Sequence, residues 1–159
     1  MLWAKLLRMK FTQDAGPAGY TIRSYAPGCI TVAYPPARAA DYVVALPLPG
    51  TERPVMLKEQ LSASFIIAPQ HLLRDWPPQQ FEELNEEHLR IIETLDPEVV
   101  LLATGPKIRF PNQAWLRLFH QQGVGVEIMD NGAACRTYNI LMAEGRNVVA
   151  GFILGRHRQ

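Results

Sequence analysis

The sequence has few cysteines, no long apolar run and no clear surplus of charge of either sign. Its two cysteines, Cys29 and Cys135, allow at most one disulfide, and we expect a reduced, cytoplasmic protein. No apolar run reaches the roughly 18 residues of a membrane-spanning helix, and the start of the chain lacks the apolar centre of a secretory signal. Sixteen basic and fifteen acidic residues nearly balance, so no nucleic-acid partner is predicted.

The motifs of several site classes are also absent. The chain has neither the GxxxxGK[ST] nor the GxGxxG pattern of phosphate-binding loops, and it has no GxSxG nucleophile turn. HExxH and CxxC are missing, and the four histidines are scattered. The sequence therefore predicts no metal and no cofactor. The lack of a complete catalytic set favours a protein without enzymatic activity.

Proline divides the first half of the chain into short pieces. Ten of the thirteen prolines lie within residues 1–78, and proline removes a backbone donor and resists helix interiors. The pattern predicts a hairpin of residues 20–25 and 29–34, and further strands at residues 42–48 and 62–68. Residues 1–16 are predicted to form an N-terminal arm or strand.

The spacing becomes helical after residue 78. Mostly apolar residues recur there at steps of three and four, and this stripe predicts a helix. The stripe comprises Phe81, Leu84, His88, Ile91, Ile92 and Leu95. Apolar runs at residues 99–103, 124–129 and 148–154 predict strands. Two helices are predicted between them, one that begins at residue 111 and one that covers residues 131–144.

This order of elements is typical of a layered α/β protein. We predict one domain over residues 1–159, with a β-rich half at 17–68 and an α/β half at 79–154. The predicted fold has three layers: a central mixed sheet of about five strands, helices on its faces and an additional N-terminal β layer.

Polar residues follow two of the predicted strands, at the edge where open α/β sheets usually bind ligands. Two interpretations stay open: a pocket for a small anion, or a capped helix with solvated basic side chains, which we favour. The candidate ligand-binding residues are Gly105, Lys107, Arg109, Asp130, Asn131, Gly132 and Arg136.

A second set of polar residues continues along the last helix, and we interpret it as structural. Cys135 lies near a helix N-terminus beside a cation, and both can activate a thiol. No sequence motif pairs it with a histidine that could act as a base, so we favour a buried Cys135. Gly145 is expected to close the helix in the left-handed conformation. The set comprises Cys135, Thr137, Tyr138, Asn139, Glu144, Gly145 and Arg146.

Three blocks of the chain carry a family resemblance: LLATGPKIRFP at residues 101–111, GVGVEIMD at 123–130 and GAACRTYNILMAEGRNVVAGFIL at 132–154. They resemble the domain-of-unknown-function family that includes the mitochondrial NADH dehydrogenase (complex I) assembly factor three and the adipogenesis-associated Mth-type domain protein. Pro106 stands where that family more often has glycine, and Asn131 where threonine is commoner. The resemblance implies a three-layer α/β fold and no known catalytic residues.

The resemblance also guides the functional hypothesis. Its mitochondrial member is a non-enzymatic factor that binds protein partners, so we expect a protein-interaction or assembly factor with partners such as respiratory-complex subunits. The absence of a targeting segment favours a bacterial, cytoplasmic relative. The alternative is a small-anion or metabolite-binding protein, or an unrecognised enzyme, that uses a cleft near Gly105 and Asp130, with Asp130 or Cys135 nearest any chemistry.

Overall fold

The computed structural model describes residues 19–36 and 56–155, and in this part of the chain two sheets and three α-helices form. The predicted arm at residues 1–16 and the predicted strand at 42–48 lie outside the described residues. The fold is a mixed α/β architecture with a five-stranded mixed sheet and a separate three-stranded sheet. The predicted fold class is therefore confirmed.

The small sheet is antiparallel in the order β1-β2-β3, with β1 at Thr21–Ala26, β2 at Cys29–Tyr34 and β3 at Leu57–Leu61. The predicted hairpin is confirmed, and Gly28 in its turn has a φ of 73°, a conformation that glycine adopts without strain. Strand β3 was not predicted because Lys58, Glu59 and Gln60 have low β propensity and contribute no apolar run.

The central sheet has the order β5-β4-β8-β6-β7, with β4 at Phe65–Ala68, β5 at His71–Leu73, β6 at Val99–Ala103, β7 at Gly125–Met129 and β8 at Val148–Phe152. Strand β6 runs parallel to both β7 and β8, and β4 runs antiparallel to β8 and β5. All residues of β6 and β8 are buried, as their unbroken apolar runs predict. The predicted strand at 62–68 starts only at Phe65, because the buried Ser64 Oγ donates to the Leu154 carbonyl and accepts from the Leu154 N–H.

The three helices are α1 at Glu86–Glu93, α2 at Arg117–His120 and α3 at Asn131–Ala143. The stripe predicted from Phe81 is interrupted: a 3-10 turn covers Phe81–Glu83, and α1 begins only after Asn85. Asn85 and His88 form a reciprocal cap, in which Asn85 Oδ1 accepts from the His88 N–H (3.0 Å) and His88 Nδ1 accepts from the Asn85 N–H (3.2 Å). This cap sets the start of α1.

Two separate cores lie on opposite faces of the central sheet. On one face α3, through residues such as Tyr138, and the small sheet pack against sheet residues such as Phe65 and Leu101. On the other face α1 and α2 pack with Trp76 against residues such as Val100 and Leu102. The alternation of side chains along β6 between the two cores follows from the pleat of a strand.

Candidate functional site

The three parallel strands of the central sheet end at one edge, and a single buried side chain links their ends there. Asn131 follows β7; its Oδ1 accepts from the Gly105 N–H (3.0 Å) and its Nδ2 donates to the Ile153 carbonyl (3.0 Å). The Asn131 N–H donates to the Gly105 carbonyl (2.9 Å). Asn131 therefore joins the segments that follow β6, β7 and β8.

The segment after β6, residues 104–112, has its shape set by Thr104 and Gly105. The buried Thr104 Oγ1 donates to the Lys107 carbonyl and accepts from the Arg109 N–H, both at 2.9 Å. Gly105 has a φ of 113°, which strains any residue with a side chain. We call residues 104–112 the edge loop; its fixed backbone holds Ile108 and Phe110 outward.

Ile108 and Phe110 are 49% and 66% exposed, and Phe110 is the most exposed large apolar side chain among the described residues. Their neighbour Arg109 turns the other way: its guanidinium lies 4.4 Å from the centre of the Phe81 ring and pairs with Glu82. This hydrogen bond from Arg109 holds the pKa of the exposed Glu82 carboxyl below its usual value.

A cleft of about 280 Å³ lies between the edge loop and the segment before α1. Phe81, Pro106 and Ile153 supply apolar surface, and Lys107 and Arg109 supply positive charge. The full lining is Gln79, Gln80, Phe81, Thr104, Gly105, Pro106, Lys107, Arg109, Ile153 and Gly155.

Three of the seven predicted ligand-binding residues line this cleft, namely Gly105, Lys107 and Arg109, and the other four lie outside its lining. Asn131 is occupied by the three hydrogen bonds described above. Asp130 caps α3, because its Oδ1 accepts from the Ala133 N–H at 2.9 Å.

The remaining two predicted residues, Gly132 and Arg136, lie on α3. A Cβ built on Gly132 would be 3.4 Å from Asp130 Oδ1, 3.6 Å from the Tyr25 ring and 3.7 Å from Arg136 Nη1. These are ordinary contacts, so no close backbone approach requires glycine there. The structure thus brings the two strand ends into contact through Asn131, and of the predicted residues Gly105, Lys107 and Arg109 line the cleft.

The residues interpreted as structural mostly connect α3 to its surroundings. Asn139 accepts from the Ile22 N–H (3.0 Å) and donates to the Ile22 carbonyl (2.7 Å), so it binds strand β1. The Tyr138 hydroxyl donates to the Tyr20 carbonyl at 2.8 Å. Glu144 is the C-cap and Gly145, with a φ of 79°, closes the helix.

The other members of this set are less strongly bound. Arg146 pairs with Glu98 at 3.7 Å on the surface, a separation at which an exposed ion pair contributes little. Thr137 is half-buried.

Cys135 is a free, buried thiol, and burial raises its pKa to about 12 although Arg136 acts in the opposite direction. Iodoacetamide at about pH 8 is therefore expected to alkylate the partly exposed Cys29 in the native protein and to leave Cys135 unmodified, because alkylation needs the thiolate. Mass spectrometry of the peptides measures both sites, with urea-unfolded protein as the control in which both react. Equal native labelling of the two cysteines would show that Cys135 is accessible and activated.

Several residues of the cleft were not predicted. Gln79, Phe81, Ile153 and Gly155 come from segments distant in sequence and have no motif of their own. The sequence does indicate the exposed pair Ile108 and Phe110. Both are large apolar residues in a segment that lies between a strand and a helix and shows no periodicity.

Within residues 19–36 and 56–155, no group of three or more His, Cys, Asp or Glu side chains is placed to hold a metal ion. None of the helices in these ranges is both long and apolar enough to cross a membrane.

Comparison with known proteins places the chain among relatives of differing description. It is 29% identical over 109 residues to the "13 kDa major membrane protein" of Francisella tularensis, covering 61% of this chain and 89% of that protein. It is 30% identical over 89 residues to NADH dehydrogenase [ubiquinone] 1 alpha subcomplex assembly factor 3 of Xenopus tropicalis, covering 55% of this chain. The chain spans about half the length of that assembly factor, 48%.

A solved structure agrees with the fold. The solution structure of a Bordetella pertussis protein described as a Mth938-like domain superposes with a TM-score of 0.65 at 26% identity, covering 92% of this chain and 97% of that one. The family model "Protein of unknown function (DUF498/DUF598)" matches residues 52–153. The resemblance carried by residues 101–154 is thereby confirmed, and the chain belongs to the DUF498/DUF598 family of proteins of unknown function.

Proposed function

We propose that this protein binds other proteins and promotes the assembly of a membrane-associated complex, such as a respiratory NADH dehydrogenase, without catalysing a reaction itself. Two relatives support an assembly or membrane-associated setting by their descriptions: the assembly factor of Xenopus tropicalis and the major membrane protein of Francisella tularensis. The observation that carries the proposal is the exposed pair Ile108 and Phe110 on a loop of fixed shape.

Aromatic side chains are enriched in protein interfaces. The hydrogen bonds of Thr104 and the conformation of Gly105 constrain the backbone that precedes Phe110, which lowers the cost of ordering that backbone on binding. Covering its exposed surface, roughly 130 Å², would contribute about 3 kcal/mol at about 25 cal/mol per Å². That contribution is large enough to decide whether a partner stays bound.

The double replacement of Ile108 and Phe110 by serine is expected to leave the fold intact and to reduce recovery of partner subunits at least about tenfold. The measurement is quantitative mass spectrometry of NADH dehydrogenase subunits that co-purify with the tagged protein from detergent-solubilised membranes of its native host. Ile140→Ser is the matched control, because Ile140 is 60% exposed on α3, away from the edge loop.

Recovery that is unchanged in the double variant, or reduced equally by Ile140→Ser, would contradict the proposed role of the edge loop. Recovery of no respiratory or other membrane-complex subunit with the wild-type protein would contradict the assembly function as a whole.

The alternative function, binding of a small anion or metabolite, is favoured by one observation. Lys107 lines the cleft, and its ammonium group has no carboxylate partner among the described residues. An NMR titration with sodium benzoate, a free small carboxylate, tests this alternative.

A further inference from the structure

The cleft beside the edge loop is lined by both apolar and basic residues. Phe81, Pro106 and Ile153 are its apolar lining residues, and Lys107 and Arg109 are its basic ones. None of the described residues that line it is acidic. A matching occupant therefore has an apolar group with negative charge close to it.

The side chain of Arg109 and the backbone of Lys107 are positioned before any ligand arrives. Arg109 lies over the Phe81 ring and pairs with Glu82 through Nη1, and a guanidinium carries further N–H donors. The bonds of Thr104 Oγ1 to the backbone of Lys107 and Arg109 hold both residues on one fixed turn. A carboxylate that reaches the cleft would meet the guanidinium of Arg109, which is already held in place, and this reduces the entropy lost on binding.

The surroundings of the cleft favour an extended occupant. Its volume of about 280 Å³ lies near the lower end of the roughly 300–1,000 Å³ of sites that enclose a small molecule or cofactor. Ile108 and Phe110 extend the apolar surface beyond the cleft, which suits a longer chain lying across the edge loop.

We infer that the cleft receives one aromatic or large aliphatic side chain of a partner protein, and that Lys107 and Arg109 bind the carboxylate of an acidic residue next to it. This inference rests on the proposed function and specifies the chemistry of its partner: an extended segment in which acidic residues flank an apolar one. The exposed Ile108 and Phe110 contact the same segment outside the cleft.

Short capped peptides test the inference with the intact protein. The probe has the sequence Gly-Glu-Phe-Glu-Gly, and its matched controls are Gly-Lys-Phe-Lys-Gly and Gly-Glu-Ala-Glu-Gly. In ¹⁵N–¹H NMR titrations the probe is expected to shift the amides of Phe81, Gly105, Lys107 and Gly155 saturably. Its Kd is expected to be at least about tenfold lower than that of either control.

Charge variants and salt test the role of the two basic residues of the cleft, Lys107 and Arg109. Lys107→Gln is expected to raise the Kd of the probe several-fold, and Arg117→Gln, on the exposed surface of α2, is expected to leave it unchanged. Raising the ionic strength from about 0.05 M to about 0.5 M weakens binding, because the Debye length shortens. An unchanged spectrum away from the cleft shows that each variant is folded.

Three outcomes overturn the inference. The lysine peptide could bind as tightly as the probe, Lys107→Gln could leave the Kd unchanged, or sodium benzoate alone could shift the same amides with an equal Kd. The last result would assign the cleft to a free small carboxylate.

The outcomes also separate this inference from the proposed function. If the peptide fails and the Ile108/Phe110 double variant still loses its partner subunits, the inference is wrong and the assembly role stands. If the peptide binds as expected and the double variant keeps those subunits, the proposed role of the edge loop is wrong and the cleft remains a site for acidic, apolar segments.

Discussion

Replacement of Asn131 by alanine is expected to lower the free energy of unfolding by about 2–6 kcal/mol. The side chain is 3% exposed and satisfies two buried backbone groups, the Gly105 N–H and the Ile153 carbonyl. Each group that is left buried without a partner costs about 1–3 kcal/mol. The loss would also release the edge loop from the end of β8, so binding at the cleft should weaken as well.

Urea unfolding followed by circular dichroism measures this effect. Asn112→Ala is the matched control, because Asn112 is exposed and caps only the short 3-10 turn at Gln113–Leu116, a contribution of about 1 kcal/mol or less. A loss below about 1 kcal/mol for Asn131→Ala would show that the three strand ends are held together by other contacts.

Replacement of Trp76 by alanine is expected to cost about 3–5 kcal/mol, the range found when large buried aromatic side chains are truncated. Trp76 is 2% exposed, and its indole Nε1–H donates to the His88 carbonyl at 3.3 Å. The ring fills the space that Gly151 leaves on β8: a Cβ at Gly151 would lie 2.9 Å from the Trp76 ring and 3.0 Å from Ile92. Its removal opens a cavity between the central sheet and α1.

The half-buried Trp115 supplies the control for Trp76, since its truncation removes less packed surface. Thermal or urea unfolding should rank Trp76→Ala well below Trp115→Ala in stability. Equal losses for the two variants would indicate that the core around Trp76 collapses to fill the cavity.

The sequence predicted the elements whose pattern is local. The unbroken apolar run of β6 and the capped helix α3 with Gly145 at its end were both assigned correctly, because periodicity and capping are properties of neighbouring residues. Burial of Cys135 was expected from its apolar neighbours, and the structure confirms it. The three blocks that carry the family resemblance could be recognised for the same reason, because each is a run of neighbouring residues.

Features that depend on distant segments were not predictable in this way. The cleft joins Gln79–Phe81, the edge loop and Ile153–Gly155, which come together only when β8 inserts next to β6. The link between the three strand ends depends on one side chain, Asn131, whose partners are 22 and 26 positions away. No spacing rule in a single sequence reports such contacts.

In the proposed function the edge loop is the surface that contacts the partner protein. The most direct test replaces Phe110 with a photo-crosslinking phenylalanine analogue in the native host, with Ile140 replaced in the same way as the control. We expect a crosslink from position 110 to a subunit of a membrane-associated complex and none from position 140. A crosslink from position 140 alone, or none from position 110 while the protein still co-purifies with that complex, would contradict this proposal.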